Sequence, residues 1–261
     1  MKYKDDFGDR MKEYESVTDI RLTKRTPVIL RLDMCHGHTF TKKFLKPFDM
    51  LFVDTMQKTM LQLCKEIDTC VFGYTQSDEI SLVLCDYKTI ETMAWFDNRL
   101  EKLCSVVASK ATRIFNKEFC QNVDRLSKEG EGAFLDMVKS IEIYVNQLFE
   151  AEFDCRAFNI PKDEVCNAIL WRQKDADRNS VNALAQSLYS HKKLQGIPRS
   201  ELKIKMKEEK NVDWDLMPNF LKWGSACKRF KYGWYIDYNM PILKDDREYV
   251  EGEIFFNETS V

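Results

Sequence analysis

Apolar and polar positions along the chain change period several times, and each change marks an element. Val28-Ile29-Leu30-Arg31-Leu32-Asp33 is a β-branched run ending in an acid, and it predicts a strand. From about Asp49 to Ile67, the apolar residues Leu51, Phe52, Met56, Met60, Leu61 and Cys64 recur at helical spacing. Two further apolar stretches (Val71, Phe72, Tyr74 and Ile80 to Leu84) flank the polar Gln76-Ser77-Asp78-Glu79, so Val71–Leu84 predicts a hairpin with two carboxylates at its tip. A long helix is expected from about Thr89 to Phe119, with Met93, Phe96, Leu100, Leu103, Val107 and Ala111 on its apolar face. After a polar, glycine-containing break at Ser127–Gly132, Ala133 to Glu152 fits another helix, and Phe153–Ile160 a strand stopped by Pro161. The order β-α-β-β-α-β is the split-βαβ arrangement of ferredoxin-like folds, an antiparallel sheet with helices on one face.

Beyond Lys162 the pattern turns mainly helical (162–174, 179–192, 199–209) and closes with short extended pieces at Ser225–Lys231 and Trp234–Tyr238. The expected class is α+β, with a catalytic unit over 1–161 and a helical and extended region over 162–261. No internal repeat or low-complexity linker interrupts it. With 261 residues and 44% hydrophobic content, the chain can bury a sizeable core as one large domain or two small ones.

Forty basic residues against forty-two acidic ones leave a net charge of −2, so a nucleic-acid surface, if present, is local rather than global. Nine cysteines contain no C-x-x-C pair, and Cys64, Cys70, Cys85, Cys104 and Cys166 lie in apolar segments. Reduced, buried thiols are expected, and a zinc site is not. Without a signal-peptide pattern or an apolar run long enough to span a bilayer, the chain reads as soluble, cytoplasmic and not membrane-bound.

Asp33 and Asp78 are the informative acids. Two strand ends that each present an Asp are the minimum apparatus for holding paired divalent metals over a triphosphate. Taken alone, Asp33 reads equally as a strand-ending cap. Glu79 alternates to the other side of the strand from Asp78, which suits a structural or orienting role as well as a catalytic one.

Arg31-Leu32-Asp33, then His38, Lys46-Pro47 and Asp49, then Gln76-Ser77-Asp78-Glu79, Phe153-Asp154-x-Arg156 and Trp171-Arg172-Gln173 stand in the order and approximate spacing of the tRNA-histidine guanylyltransferase family. The chain resembles that family over most of residues 5–240. It looks closest to the guanylyltransferase-like branch, the reverse (3′–5′) polymerases that rebuild tRNA 5′ ends. The resemblance implies a palm like that of ordinary polymerases and nucleotidyl cyclases, two Mg²⁺ ions, and ATP and GTP as substrates. It further implies the 5′ end and acceptor stem of tRNA as partner, and a homo-oligomer, tetramer or dimer.

Residue by residue, the resemblance makes Asp33, Asp78 and Glu79 catalytic, with Asp33, Asp78 and the main-chain carbonyl of Met34 as Mg²⁺ ligands; hard oxygens suit that ion. The nucleotide set is Arg31, Cys35, His36, Gly37, His38, Phe44, Lys46, Asp49 and Ser77. Main-chain N–H groups of the loop after Asp33 cradle phosphates, Lys46 supplies a point charge, and Phe44 stacks on guanine. Core packing accounts for Phe44 equally well, and His36 reads as a solvated loop residue. The family usually reads Asp-Gly at once, whereas here Met34-Cys35-His36 intervene before Gly37. A carbonyl ligand survives any side chain, but a left-handed φ beside the metal would cost Met34 more than glycine.

The expected RNA contacts are Arg156, Trp171, Arg172, Gln173, Arg178 and Asn179. Histidine-specific members carry His-Ile-Asn-Asn where this chain has Asp177-Arg178-Asn179-Ser180, so template reading is expected in place of tRNA identity. Asp177 or Asn179 also fits a cap on the next helix, and Arg156 an exposed strand arginine. Lys222, Lys228, Arg229 and Lys231 interleave with Trp223, Phe230, Tyr232 and Trp234, suiting either RNA or a snorkelling basic face. Three other activities fit part of the pattern: a histidine-specific guanylyltransferase, a cyclase-like palm enzyme on free nucleotides, and a catalytically weak RNA-binding module.

Overall fold

A computed structural model describes residues 6–129 and 135–256, so the first residues of the expected helix Ala133–Glu152 lie outside the described residues. Helix α1 (Asp6–Ser16) precedes strand β1 (Val28–Met34), the short α2 (Gly37–Phe40) and α3 (Met50–Glu66). The hairpin β2 (Cys70–Gln76) and β3 (Glu79–Leu84) follows, then a 3-10 turn at Trp95–Asn98, α4 (Leu100–Glu129), α5 (Leu135–Val145) and β4 (Phe153–Asn159). The remainder comprises α6 (Lys162–Leu188), α7 (His191–Leu194), α8 (Arg199–Lys210), a 3-10 turn at Trp214–Leu216, α9 (Asn219–Trp223), the hairpin β5 (Ser225–Phe230) and β6 (Gly233–Asp237), and α10 (Glu248–Glu251).

The strands form one sheet in the order β4-β1-β3-β2-β5-β6, and every neighbouring pair is antiparallel. The β-α-β-β-α-β order expected from the sequence is the order observed through β4, while the extended pieces near the end of the chain widen the same sheet. Period-two alternation sorts the two faces. Val28, Leu30, Leu32 and Met34 join Met56 and Met60 of α3 and Leu103, Val107, Phe115 and Phe119 of α4 in the larger core. Ile29, Phe72 and Val83 point the other way and pack with Val165, Cys166 and Ile169 of α6 and with Met240, Leu243 and Val250. Helices α3 and α4 thus share one face, as expected, and α6 covers the opposite one. A third cluster joins Val181 and Leu184 of α6 to Leu202 and Met206 of α8 and to Trp214.

Two boundaries depart from expectation. Helix α4 begins at Leu100 rather than near Thr89, because Phe96, Asp97 and Asn98 take left-handed φ of 51°, 55° and 54°, which no α-helix continues. Met93, expected on its apolar face, is 82% exposed. Asn98 is buried and its amide donates to the Thr23 carbonyl at 3.3 Å, while Asp97 pairs with Arg21 and Lys24. The expected break between 174 and 179 is also absent, since α6 is continuous. Asp175 there pairs with Arg172 at 2.8 Å and with Arg178, ion pairs within one helix face rather than a cap.

All nine cysteines are free; Cys64, Cys70, Cys85 and Cys166 are buried as expected and Cys104 is half-buried. Among the described residues, no helix is long and apolar enough to cross a membrane.

Phe119 is fully buried at the centre of a ring cluster, stacked on Phe44 at 6.0 Å and Phe115 at 5.7 Å and edge-on to Phe40 at 5.6 Å. Phe119→Ala should cost about 3–5 kcal/mol by transfer and cavity terms. Urea unfolding measures it, and a loss below about 1 kcal/mol would mean that the cluster is not the core described above.

Candidate active site

Strand β1 ends where the β2–β3 hairpin turns. The Met34 amide donates to the Asp78 carbonyl at 3.0 Å, and the Cys35 amide to the Glu152 carbonyl at 2.8 Å. Ser77, first of the two turn residues, takes φ of 49°, the left-handed value that suits a two-residue hairpin loop. A Cβ on Gly37 would lie 2.2 Å from Asp78 Oδ2, so the Asp78 carboxylate rests directly on the backbone of the loop after Asp33. Glycine at 37, three positions later than the family pattern, is what this approach demands. The left-handed residue of the loop is His36 (φ 56°), so Met34 does not bear the strain considered above.

Asp33 Oδ2 is buried and accepts no hydrogen bond, and neither does Arg31 Nε donate one. Arg31 Nε stands 3.4 Å and Arg156 Nη2 3.9 Å from that oxygen. Buried polar atoms without partners are uncommon, and an unspent carboxylate oxygen beside an unspent guanidinium nitrogen suits a bound cation and phosphate. In register, Asp33 lies opposite Glu79 on β3 and Asp154 on β4. Asp154 was not expected here, yet strand alternation places it on the face of Arg156 and could have revealed it. Among the described residues, no group of three or more His, Cys, Asp or Glu side chains is arranged to hold a metal. The donors that remain, Asp33, Asp78 and the Met34 carbonyl, fit Mg²⁺, which keeps several waters and needs only one or two carboxylates. Burial and the nearby Asp154 and Glu152 raise the Cys35 thiol, which stays neutral. His36 and His38 are both exposed.

Glu79 turns from Asp78 toward α6, where it is 5% exposed. Arg172 grips it with two donors, Nε to Oε1 and Nη2 to Oε2, each at 2.7 Å. Burial raises the Glu79 carboxyl above its ordinary value, the Arg172 hydrogen bonds offsetting part of that; the same bonds hold Arg172 charged. Trp171, next along α6, is 56% exposed, with the Arg172 and Arg31 guanidinium carbons 4.5 and 5.8 Å from its ring centre. Gln173 points inward instead: its amide donates to the Pro241 carbonyl and accepts from the Leu243 amide, both at 2.9 Å. That differs from the RNA contact expected of it, since the side chain is 2% exposed and both its polar atoms are engaged by main chain.

A cavity of about 250 Å³ opens beside the hairpin tip. The exposed Lys46, Ser77 and Asn179 line it together with the buried Phe44, Met56, Gln57 and Ser225. Asp49 organises its loop: one oxygen accepts from the Phe52 amide at 3.0 Å as the cap of α3, the other from the Leu45 amide at 3.0 Å and the Tyr144 hydroxyl at 2.7 Å. Its carboxylate is therefore engaged by the protein. Phe44 belongs to the ring cluster of Phe40, Phe52, Phe119 and Tyr144, so core packing holds it in place. The far wall begins at Gly224 (φ 84°), where a Cβ would meet the Thr75 carbonyl at 2.5 Å. Arg178 is exposed and pairs with Asp175, while Lys46 Nζ reaches the Thr41 carbonyl at 3.4 Å.

The Arg172–Glu79 pair yields a test. Arg172→Ala strands a buried carboxylate and should destabilise the fold by about 3 kcal/mol at neutral pH. A raised acid binds more protons folded than unfolded, so stability falls as pH rises through the window above the ordinary carboxyl value, and more steeply once Arg172 is gone. The loss should shrink toward pH ~4.5 and in Arg172→Ala/Glu79→Gln. Chemical denaturation across pH measures this, and a loss independent of pH would contradict the pairing.

A family model described as tRNAHis guanylyltransferase (Thg1) matches residues 8–161. A solved bacterial tRNA(His) guanylyltransferase (Thg1)-like protein in complex with ATP is 37% identical, with a TM-score of 0.83, covering 96% of this chain and 100% of that one. Another, in complex with GTP, is 33% identical with a TM-score of 0.74, covering 97% and 100%. An uncharacterised protein of Acanthamoeba polyphaga mimivirus is 28% identical over 85% of this chain and 76% of its own length. The tRNA(His) guanylyltransferase 2 of Arabidopsis thaliana is 23% identical over 81% of this chain, a match spanning only 37% of that longer protein. The chain belongs to the tRNAHis guanylyltransferase family of nucleotidyltransferases.

Proposed function

We propose that the protein is a template-dependent 3′–5′ nucleotidyltransferase that adds nucleotides, G opposite C by preference, to the 5′ end of tRNA. The observation that carries this reading is the buried Asp33 carboxylate oxygen, which accepts no hydrogen bond and faces Arg31 and Arg156, near Asp78, whose neighbour Ser77 lines a cavity together with Lys46. Solved relatives described as complexes with ATP and with GTP support a nucleotide there.

In this reading the sheet end is a palm-like platform, residues 1–161 supply the chemistry and residues 162–261 grip RNA. Lys46 and Ser77 hold the triphosphate, and Arg31 and Arg156 hold the RNA 5′-phosphate near Asp33. An RNA phosphate oxygen attacks the α-phosphorus of ATP, the bond to pyrophosphate breaks, and a 5′-adenylylated RNA results. The 3′-hydroxyl of an incoming GTP then attacks the RNA 5′-phosphorus, AMP leaves with the bonding pair, and the hydroxyl proton passes to water. Asp33, Asp78 and the Met34 carbonyl would hold Mg²⁺, which would supply charge neutralisation to the phosphoryl oxygens. Trp171 offers a face for the terminal stack, and Arg178 and Asn179 contact the backbone. Among the nucleotides that the cavity admits, selection of the added base falls to Watson–Crick geometry, in keeping with the Asp177-Arg178-Asn179-Ser180 sequence in place of the histidine-tRNA signature.

Asp33→Ala and Asp78→Ala should each lower 5′ nucleotide addition by several orders of magnitude while circular dichroism stays native. Turnover near wild type in either variant sinks the two-acid site.

Templating has its own test. A tRNA lacking its first nucleotide should gain G opposite C, and changing the opposing base should change the nucleotide accepted. Addition of a single G whatever the opposing base, and only to a histidine tRNA, would instead place the protein with the histidine-specific enzymes.

A further inference from the structure

The cavity beside the hairpin tip is polar at both ends for different reasons. Lys46, Ser77 and Asn179 are exposed, whereas the side-chain amide of Gln57 on α3 also lines the cavity and is only 4% exposed. Gln57 Nε2 donates to Ser225 Oγ at 2.8 Å, and Ser225 is itself 1% exposed at the first position of β5. Gln57 Oε1 accepts nothing from any described residue, and it is not among the sealed, unpartnered atoms of the interior. Gln57 lines the cavity, and Oε1 is the end of its amide that Ser225 leaves free. Gln173 shows the ordinary alternative in the same fold, a buried amide with both ends engaged by main chain. Desolvating an amide carbonyl without a partner is costly, so an acceptor held half-engaged on a cavity floor fits a ligand N–H.

We infer that Gln57, anchored by Ser225, reads the base of the nucleotide in this cavity by accepting a hydrogen bond from a ring amino group. The inference rests on the nucleotide role proposed above and extends it to the base. A triphosphate drawn to Lys46 and Ser77 at the exposed end leaves the base to enter first, between the apolar walls of Phe44 and Met56. At the floor it meets an acceptor and no cation. Adenine and guanine both offer an amino N–H there, so the ligand class is an amino-bearing purine nucleotide. A base without that group leaves the Gln57 carbonyl desolvated and unpaired, which is a stronger basis for rejection than a lost contact. Residues 57 and 225 meet because Gly224 lets β5 start against Thr75, and Tyr74 Oη fixes that approach by donating to the Trp223 carbonyl at 2.7 Å.

The test is equilibrium binding to the full chain without RNA, using ATP, GTP and their amino-less analogues, purine riboside triphosphate and ITP. The wild type should bind ATP and GTP about five- to tenfold more tightly than the matching analogues, the worth of one buried hydrogen bond. Gln57→Met keeps the side-chain length and loses the acceptor, so the preference should vanish. Ser225→Ala frees the amide to turn and should reduce the preference part-way; it decides the matter if Gln57→Met does not fold. Equal affinities in the wild type, or a preference that survives both substitutions, overturns the inference. Lys46→Ala distinguishes failure of the site itself. A common weakening of all four ligands upholds the triphosphate position, and no effect on any of them overturns the nucleotide reading together with the base reader.

Discussion

The rest of the site depends on one ion pair, Arg172 with Glu79. The α6 face of the sheet is apolar through Ile29 and Val83 and then turns charged at Arg31, Asp33 and Glu79. A helix cannot lie across that charged end unless something meets it. Arg172 does so with a fork matched to the carboxylate, and Asp175 engages its remaining Nη1 at 2.8 Å. Such a pair adds little net stability, because desolvation cancels most of the attraction. Its effect is positional. Glu79 follows Asp78 directly, so fixing Glu79 to α6 fixes the tip that carries the acid.

Backbone approach sets the rest of the geometry. Gly37 and Gly224 are the positions where a side chain would strike Asp78 on one side and Thr75 on the other. Between them sits a loop whose turn is fixed by Asp49, a residue spent on the Leu45 and Phe52 amides and the Tyr144 hydroxyl. The cavity wall is therefore tied to α3 and α5 rather than left to the conformational freedom of a surface loop. Such rigidity is what a phosphoryl-transfer site needs, where most of the rate comes from placing charges before the reaction begins.

Much of this was legible in the chain. Strand β1, the hairpin, α3 and β4 follow from alternation and spacing, and the closing extended pieces were visible as strands though not as part of the same sheet. Asp33 and Asp78 stood out because each ends or joins strands. What failed had local causes. Phe96, Asp97 and Asn98 fit a helical period, but tertiary pairs with Arg21, Lys24 and Thr23 hold them left-handed. Asp177 and Asn179 look like caps, and pairing of Asp175 with Arg172 and Arg178 along the helix removes the need for a break. Gln173 carried a motif signal and proved to be a brace for residues 241 and 243. Gln57 and Ser225 gave no signal at all, because a pair 168 residues apart is created only when β5 joins the sheet.

Helix α6 then acquires a reading that none of its residues has alone. Arg172, Ala176 and Asn179 fall at i, i+4 and i+7, one face over two turns, a span of about 10 Å. The first meets the acid end of the sheet, while the second and third line the cavity. Trp171, one position back, stands exposed with the Arg31 guanidinium carbon 5.8 Å from its ring centre. One continuous helix thus touches the place where a phosphate would react and the place where a nucleotide would sit. A break at 175–178 would have uncoupled those two places, so the ion pairs that keep α6 intact also keep their separation fixed. For the proposed reaction, which would bring an RNA end and a free nucleotide to Asp33 and Asp78, a rigid spacer between the binding places serves better than two independently mobile grips.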